Sequence, residues 1–409
     1  MKVRIGLGLA LALALGSPAA AGARPAAPLP PGSLAVDRVV MLMRHGVRPP
    51  TKAPPMPPEV TPERWPDWPV RPGWLTPHGA AAVARLGAAD ATAWRFHRLL
   101  PTKGCPVPGA VRIVADSDQR TIETAKAWAA TLAPGCPLAI DHRPQDVPDP
   151  RFNAIESGEA PLDPAKADAA VAAEVGPGGF AALDARYRPL LTRLDTVLCG
   201  SPRPGCGVSG TPTGIAPARA DKRPKLTGAI DRASTAAQIL LLEAAEGMPI
   251  ARIGWGRATL ADVTMLGEFH ALEFRILARP RPIAVANFAG LAEIVRTGLA
   301  DSGPRVTMIA GHDTNIANLG GLFDVHWQIP GFAADDPVPG GALILERLHD
   351  RAGKRYVRLR YRAQTLDQLR TAAPLGAHGP HDRILPVPGC NARGVAGLCT
   401  LDEALAKLG

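Results

Sequence analysis

Apolar residues fall into two kinds of run along the chain. Unbroken runs of strand length stand at 37–43 (DRVVMLM), 111–116 (VRIVAD) and 305–313 (RVTMIAGHD). Alternating runs stand at 342–348 (ALILERL) and 356–362 (YVRLRYR). The unbroken runs predict buried strands, and the alternating pair predicts a late hairpin. Helical periodicity covers 79–100, 119–132, 180–198, 227–248, 260–278 and 284–301. Thr76-Pro77 suits the start of the first helix, as cap and first-turn proline. Residues 49–77 form a long proline-rich loop with Trp65, Trp68 and Trp74, and 141–225 is irregular in composition. Strands and helices mix at both ends and helices dominate the middle. The pattern predicts an α/β domain over 35–150 and 303–409, with a smaller, mainly α-helical inserted domain over 151–302.

The start of the chain changes the picture. Lys2 and Arg4 precede an apolar stretch, Ile5 to Leu15, and small-x-small sites follow at Ala19–Ala21 and Ala21–Ala23. This reads as a signal peptide over 1–23, and its apolar run is too short for a membrane anchor. The mature protein is expected to be periplasmic or secreted, with no membrane attachment. The six cysteines fit an oxidising compartment. Their close pairs suggest Cys199–Cys206 and Cys390–Cys399, which leaves Cys105–Cys136; no spacing supports a zinc site instead. The net charge of +9 (46 basic against 37 acidic residues) is spread without a Lys/Arg block. It favours anionic partners but not nucleic acid.

Ligands of open α/β sheets bind beyond the carboxyl ends of strands. Here three apolar runs break into ionisable groups: Arg44-His45-Gly46-Val47-Arg48, Asp116-Ser117-Asp118-Gln119-Arg120 and Gly311-His312-Asp313-Thr314-Asn315. If the strands are neighbours, three arginines, two histidines and an aspartate converge. Arginine's planar fork matches phosphate oxygens, and one charge pair at 4 Å is worth about 4 kcal/mol at an effective dielectric near 20. Surrounding cations lower a histidine pKa, so His45 stays unprotonated in acid and free to attack phosphorus. Asp313 supplies the leaving group's proton if its pKa is held up. The plainer alternatives are surface charge for Arg48 and Lys52, and a helix-cap pair for His312-Asp313.

The stretches RHGVRPPTK, DQRTIETA and GHDTNIANLGG resemble the histidine acid phosphatases, in particular the bacterial periplasmic phytase and glucose-1-phosphatase branch. The likeness runs from about residue 37 to the C-terminus. It implies a mixed sheet flanked by helices, of the phosphoglycerate-mutase-like kind, beside a smaller α domain, with no metal and no cofactor. It also implies His45 as nucleophile and Asp313 as proton donor. Arg44, Arg48, Arg120 and His312 then hold the phosphate, and Thr51 and Lys52 touch other phosphates of the substrate. The chain departs from the family at Pro249–Arg252, where relatives bring an acidic residue, and at Asn287, where some carry an arginine.

The expected function is a periplasmic acid phosphomonoesterase, a phytase, acting as a monomer on a small phosphate ester. A glucose-1-phosphatase or broad sugar-phosphate phosphatase is the alternative within the chemistry. A non-catalytic binder of anions and a phosphotransferase are the alternatives outside it.

Overall fold

A computed structural model of the chain describes residues 34–201, 203–376 and 379–409. The segment read as a signal peptide lies outside the described residues. In chain order the elements begin with β1 (Ala35–Arg44), α1 (Pro77–Phe96), β2 (Val111–Ala115), α2 (Gln119–Leu132) and β3 (Ile140–Asp141). There follow α3 (Pro164–Val175), α4 (Gly179–Cys199), β4 (Gly214–Ala216), β5 (Lys225–Thr227), α5 (Ala229–Ala245), α6 (Leu260–Leu266), α7 (Glu268–Leu277) and α8 (Arg281–Leu299). The chain closes with β6 (Val306–Gly311), α9 (Asp313–Phe323), β7 (Ala342–His349), β8 (Arg355–Ala363), α10 (Leu366–Thr371), β9 (His381–Leu385), β10 (Cys399–Thr400) and α11 (Leu401–Lys407).

Eight strands form one sheet in the order β10-β8-β7-β1-β6-β2-β3, with β9 also paired to β8; β4 and β5 make a separate hairpin. β1, β6, β2 and β3 run parallel, and β7, β8, β9 and β10 add the antiparallel half. The sheet is therefore mixed, flanked by helices on both faces. That explains the unbroken apolar run of β1. Val39, Met41 and Met43 point into a layer with Trp94 of α1 and Trp128 of α2. Val40 and Leu42 point the other way, into a core shared with Leu194, Leu240, Phe269 and Phe288 of the helices. Period-two alternation vanishes because both faces are covered.

Thr76 caps α1 by accepting from the Gly79 N–H at 2.9 Å, with Pro77 in the first turn. The periodic stretch 260–278 is two helices rather than one, parted at Gly267. Helix α3 had no clear signal because it buries only Ala167, Val171 and Val175. Disulfides join Cys105–Cys136, Cys199–Cys206 and Cys390–Cys399, the pairs the spacing suggests. No helix among the described residues is long and apolar enough to cross a membrane.

Candidate active site

Three parallel neighbours end together. Arg44 stands opposite Gly311 across β1 and β6, and Ala115 opposite Ala310 across β2 and β6. The polar residues that break each apolar run therefore meet at one edge of the sheet.

His45 is buried there, its backbone N–H donating to the Gly311 carbonyl at 2.9 Å. Its Nδ1 lies 2.8 Å from the Gly46 carbonyl oxygen. A carbonyl only accepts, so Nδ1 carries the proton and Nε2 keeps its lone pair. Arg48 Nε approaches that Nε2 at 3.4 Å. The loop is pinned from the other side, where the Gly46 N–H donates to Thr124 Oγ1 of α2 at 3.0 Å.

His312 faces His45, with ring centroids 5.7 Å apart. Its Nε2 sits 2.6 Å from Asp116 Oδ2, and its Nδ1 is 3.5 Å from Arg120 Nη2. Arg120 also pairs with Asp118 at 2.7 Å. Arg44 is fully buried behind the histidine. Its Nη2 lies 2.9 Å from Asp313 Oδ2 and 2.6 Å from Gln238 Oε1, and its Nη1 donates to the Pro337 carbonyl.

A cleft of about 230 Å³ is lined by His45, Arg48, Arg120, His312 and Asp313, with Arg223 and Asn287 beside them. It adjoins a wider cavity of about 600 Å³, where Arg48 and Asp313 meet Thr51, Lys52, His270 and Glu273. Five of the eight residues singled out in the sequence thus share the inner cleft. Arg44 backs it, and Thr51 and Lys52 are exposed at the rim of the outer cavity.

Gln238, His270 and Arg223 were missed. Gln238 holds Arg44 from α5. His270 of α7 has its Nδ1 2.7 Å from Asp336 and its Nε2 4.0 Å from Asp313. A lone polar residue in the apolar run AAQILLL was the one available signal for Gln238.

The electrostatics amend the expectation. Burial comes first in pushing the His45 imidazole well below its ordinary value, with Arg48, Arg120, Arg44 and His312 adding to it. Burial and Arg120 likewise push Arg48 down to about 9. For Asp313, burial works upward but is outweighed, first of all by Arg44, with Arg48 adding to it, so its carboxyl sits well below the usual range. The sequence reading needs it held up, and the guanidinium at 2.9 Å does the opposite. For Asp116, burial again works upward and the His312 hydrogen bond leads the groups that lower it.

Asp116, Asp118 and His312 bring three donor atoms within 4.8 Å of one another, as a metal ion requires. The Arg120 guanidinium lies against the same Asp118 and His312, so a cation already occupies that field and a metal ion fits it poorly.

Comparison with known proteins agrees with this geometry. Residues 35–174 match the model of the histidine phosphatase superfamily (branch 2). The chain is 36% identical to phytase AppA of Escherichia coli (strain K12), over 90% of each chain. It is 30% identical to a glucose-1-phosphatase of Providencia rettgeri, over 86% of each. The Hafnia alvei phytase superposes with a TM-score of 0.84 at 35% identity, both as the apo form and in complex with myo-inositol hexakis sulphate. That match covers 93% of this chain and 97% of that one. The chain belongs to the histidine phosphatase superfamily, branch 2, and is a phosphoric monoester hydrolase.

Proposed function

We propose that the enzyme is a phytase, removing phosphate from myo-inositol hexakisphosphate through a phosphohistidine on His45. One observation carries this reading: the His45 Nδ1–H is spent on the Gly46 carbonyl, which leaves Nε2 unprotonated in a cleft walled by arginines, with Arg48 Nε 3.4 Å away. The Nε2 lone pair attacks phosphorus as the ester P–O bond breaks, and Arg48, Arg120 and His312 bind the equatorial oxygens. Arg44 acts from behind as fixed positive charge. Water then attacks the phosphohistidine, the N–P bond breaks and phosphate leaves.

Asp313 protonates the leaving oxygen and later takes a proton from the attacking water. In the empty cleft its carboxyl is ionised, so it becomes an acid only with substrate bound. The phosphoryl group offsets the charge of Arg44 and Arg48, which releases the carboxyl upward. At acidic pH the ester itself brings the proton.

Beyond the reacting phosphoryl group, Lys52 supplies positive charge for further phosphates, whereas Arg223 beside the cleft is paired with Glu156 at 2.6 Å. The relatives named above include phytases at 35 and 36% identity. The enzyme is inferred to work in the periplasm, since its three disulfides need an oxidising compartment. It is also inferred to act as a monomer, because one chain holds the whole site.

A glucose-1-phosphatase is the second reading. It is favoured by Asn287, which brings no charge to the cleft, and by the carboxylates of the outer cavity. Comparing kcat/KM for phytate and glucose 1-phosphate at acidic pH decides. A clear preference for glucose 1-phosphate sinks the phytase reading.

A further inference from the structure

The chemistry above leaves two carboxylates of the outer cavity without a task. Helix α5 turns Asp231, Ser234 and Gln238 toward this cavity, at steps of three and four residues, and α7 turns His270 and Glu273 toward it. Gln238 is engaged with Arg44, and the Ser234 hydroxyl donates to Glu273. Both carboxylates therefore line the space that adjoins the scissile phosphoryl group through Arg48 and Asp313.

We propose that Glu273 is a specificity-determining residue: its ionised carboxylate disfavours a second anionic group on the α5–α7 side of the cavity, and its protonated form admits one. The proposal rests on the reading that the adjoining cleft around His45 takes the scissile phosphoryl group.

The surrounding charges single out Glu273 rather than Asp231. Asp231 has Lys225 of β5 and Arg232 of its own helix nearby. Glu273 is faced by Asp231 from α5, Asp313 from α9 and His270 from its own helix, and its hydrogen bond is to the neutral Ser234. Elsewhere around α7 the charges are engaged: Glu174 of α3 sits with Arg275, Asp262 of α6 with Arg193, and Arg232 with Glu59. Across the cavity, Arg48 and Lys52 supply the cations that a polyanion seeks.

Burial raises the Glu273 carboxyl above its ordinary value, with Asp231 and Asp313 pushing the same way and Ser234 and His270 against it. In acid the side chain is an uncharged hydrogen-bonding group. As pH rises it becomes a negative wall. Polyphosphates are then accepted in acid and turned away toward neutrality, while a monophosphate feels little of the change.

The test uses a probe whose own charge does not titrate. Myo-inositol hexakissulfate is fully ionised throughout the range, and its Ki is measured against p-nitrophenyl phosphate hydrolysis from pH 4 to pH 7, for the wild-type chain and Glu273→Gln. Over that range the wild-type Ki is expected to rise about tenfold more than that of the variant. Inorganic sulfate, which carries no second anionic group to place beside Glu273, is expected to give the same profile in both. Parallel hexakissulfate curves overturn the proposal, and so does an equal divergence for inorganic sulfate.

Ser234→Ala is the second variant. It removes a hydrogen bond that favours the ionised form, so the break in the Ki profile moves to higher pH; an unmoved break counts against Glu273. Phytate turnover is scored separately. If the wild-type chain fails to hydrolyse phytate while the Ki curves diverge, the phytase reading falls and the charge filter stands.

Discussion

Arg44 and Asp313 lie 2.9 Å apart, one at the end of β1 and the other at the start of α9. The pair keeps the carboxylate charged in the empty cleft and reserves its acid role for the complex. Asp313→Asn is expected to lower kcat on alkyl phosphates by about 10²–10⁴-fold, the range of a lost general acid. p-Nitrophenyl phosphate, whose leaving group needs no proton, loses much less. Steady-state kinetics on both esters checks this, and equal losses remove Asp313 from the acid role.

Arg48 heads the charges that act on His45, after burial. His45 reacts as the neutral ring, so activity falls on the acid side as that ring protonates. In Arg48→Met the imidazole pKa rises, and the acid limb of kcat/KM moves to higher pH. The shift is partial, because the burial remains. An acid limb at the wild-type position contradicts the electrostatic account.

How much of this was readable follows from how each residue is placed. Arg44, His45, Asp116, His312 and Asp313 sit where a doubly covered strand ends, and an apolar run that stops abruptly is visible in any sequence. Gln238 and His270 are single polar residues on helices α5 and α7, whose pattern is set by the core; only the packing of α5 against α7 and of β1 beside β6 brings them to the site. The sheet order was hidden for a similar reason. Nothing local in Arg44 or Gly311 announces that they pair across more than half the chain. The sign of the Asp313 shift was out of reach too, since it depends on which guanidinium comes nearest.

Glu243 of α5 is buried, its Oε2 accepting from the Gly254 N–H at 3.0 Å, and burial pushes its carboxyl from the ordinary 4.5 up to about 7. The folded chain therefore holds a proton between these values that the unfolded chain releases. Stability from this group is fully present below pH 4.5 and is lost as pH rises through 7, by about 3 kcal/mol in all. Glu243→Gln is expected to flatten this fall. Urea midpoints at pH 4.5 and pH 7.5 test it, and an unchanged slope contradicts it.

Gly79, in the first turn of α1, leaves no room for a side chain. An added Cβ would run into the Val47 carbonyl oxygen and stand 2.8 Å from the Val47 nitrogen. Gly79→Ala is expected to cost about 1–3 kcal/mol and to lower kcat, because the backbone between His45 and Arg48 must yield. Thermal unfolding and kinetics measure both, and full activity shows that the segment does not position His45.

The central claim is that burial, reinforced by guanidinium charge, keeps His45 neutral with the proton on Nδ1. Nitrogen-15 NMR of histidine-labelled enzyme, free of phosphate and titrated downward in pH, tests it most directly, with His45→Gln assigning the resonance. The account predicts an Nε2 signal that stays unprotonated through the ordinary histidine range and well below it. A His45 ring that becomes an imidazolium near pH 6.5 contradicts it.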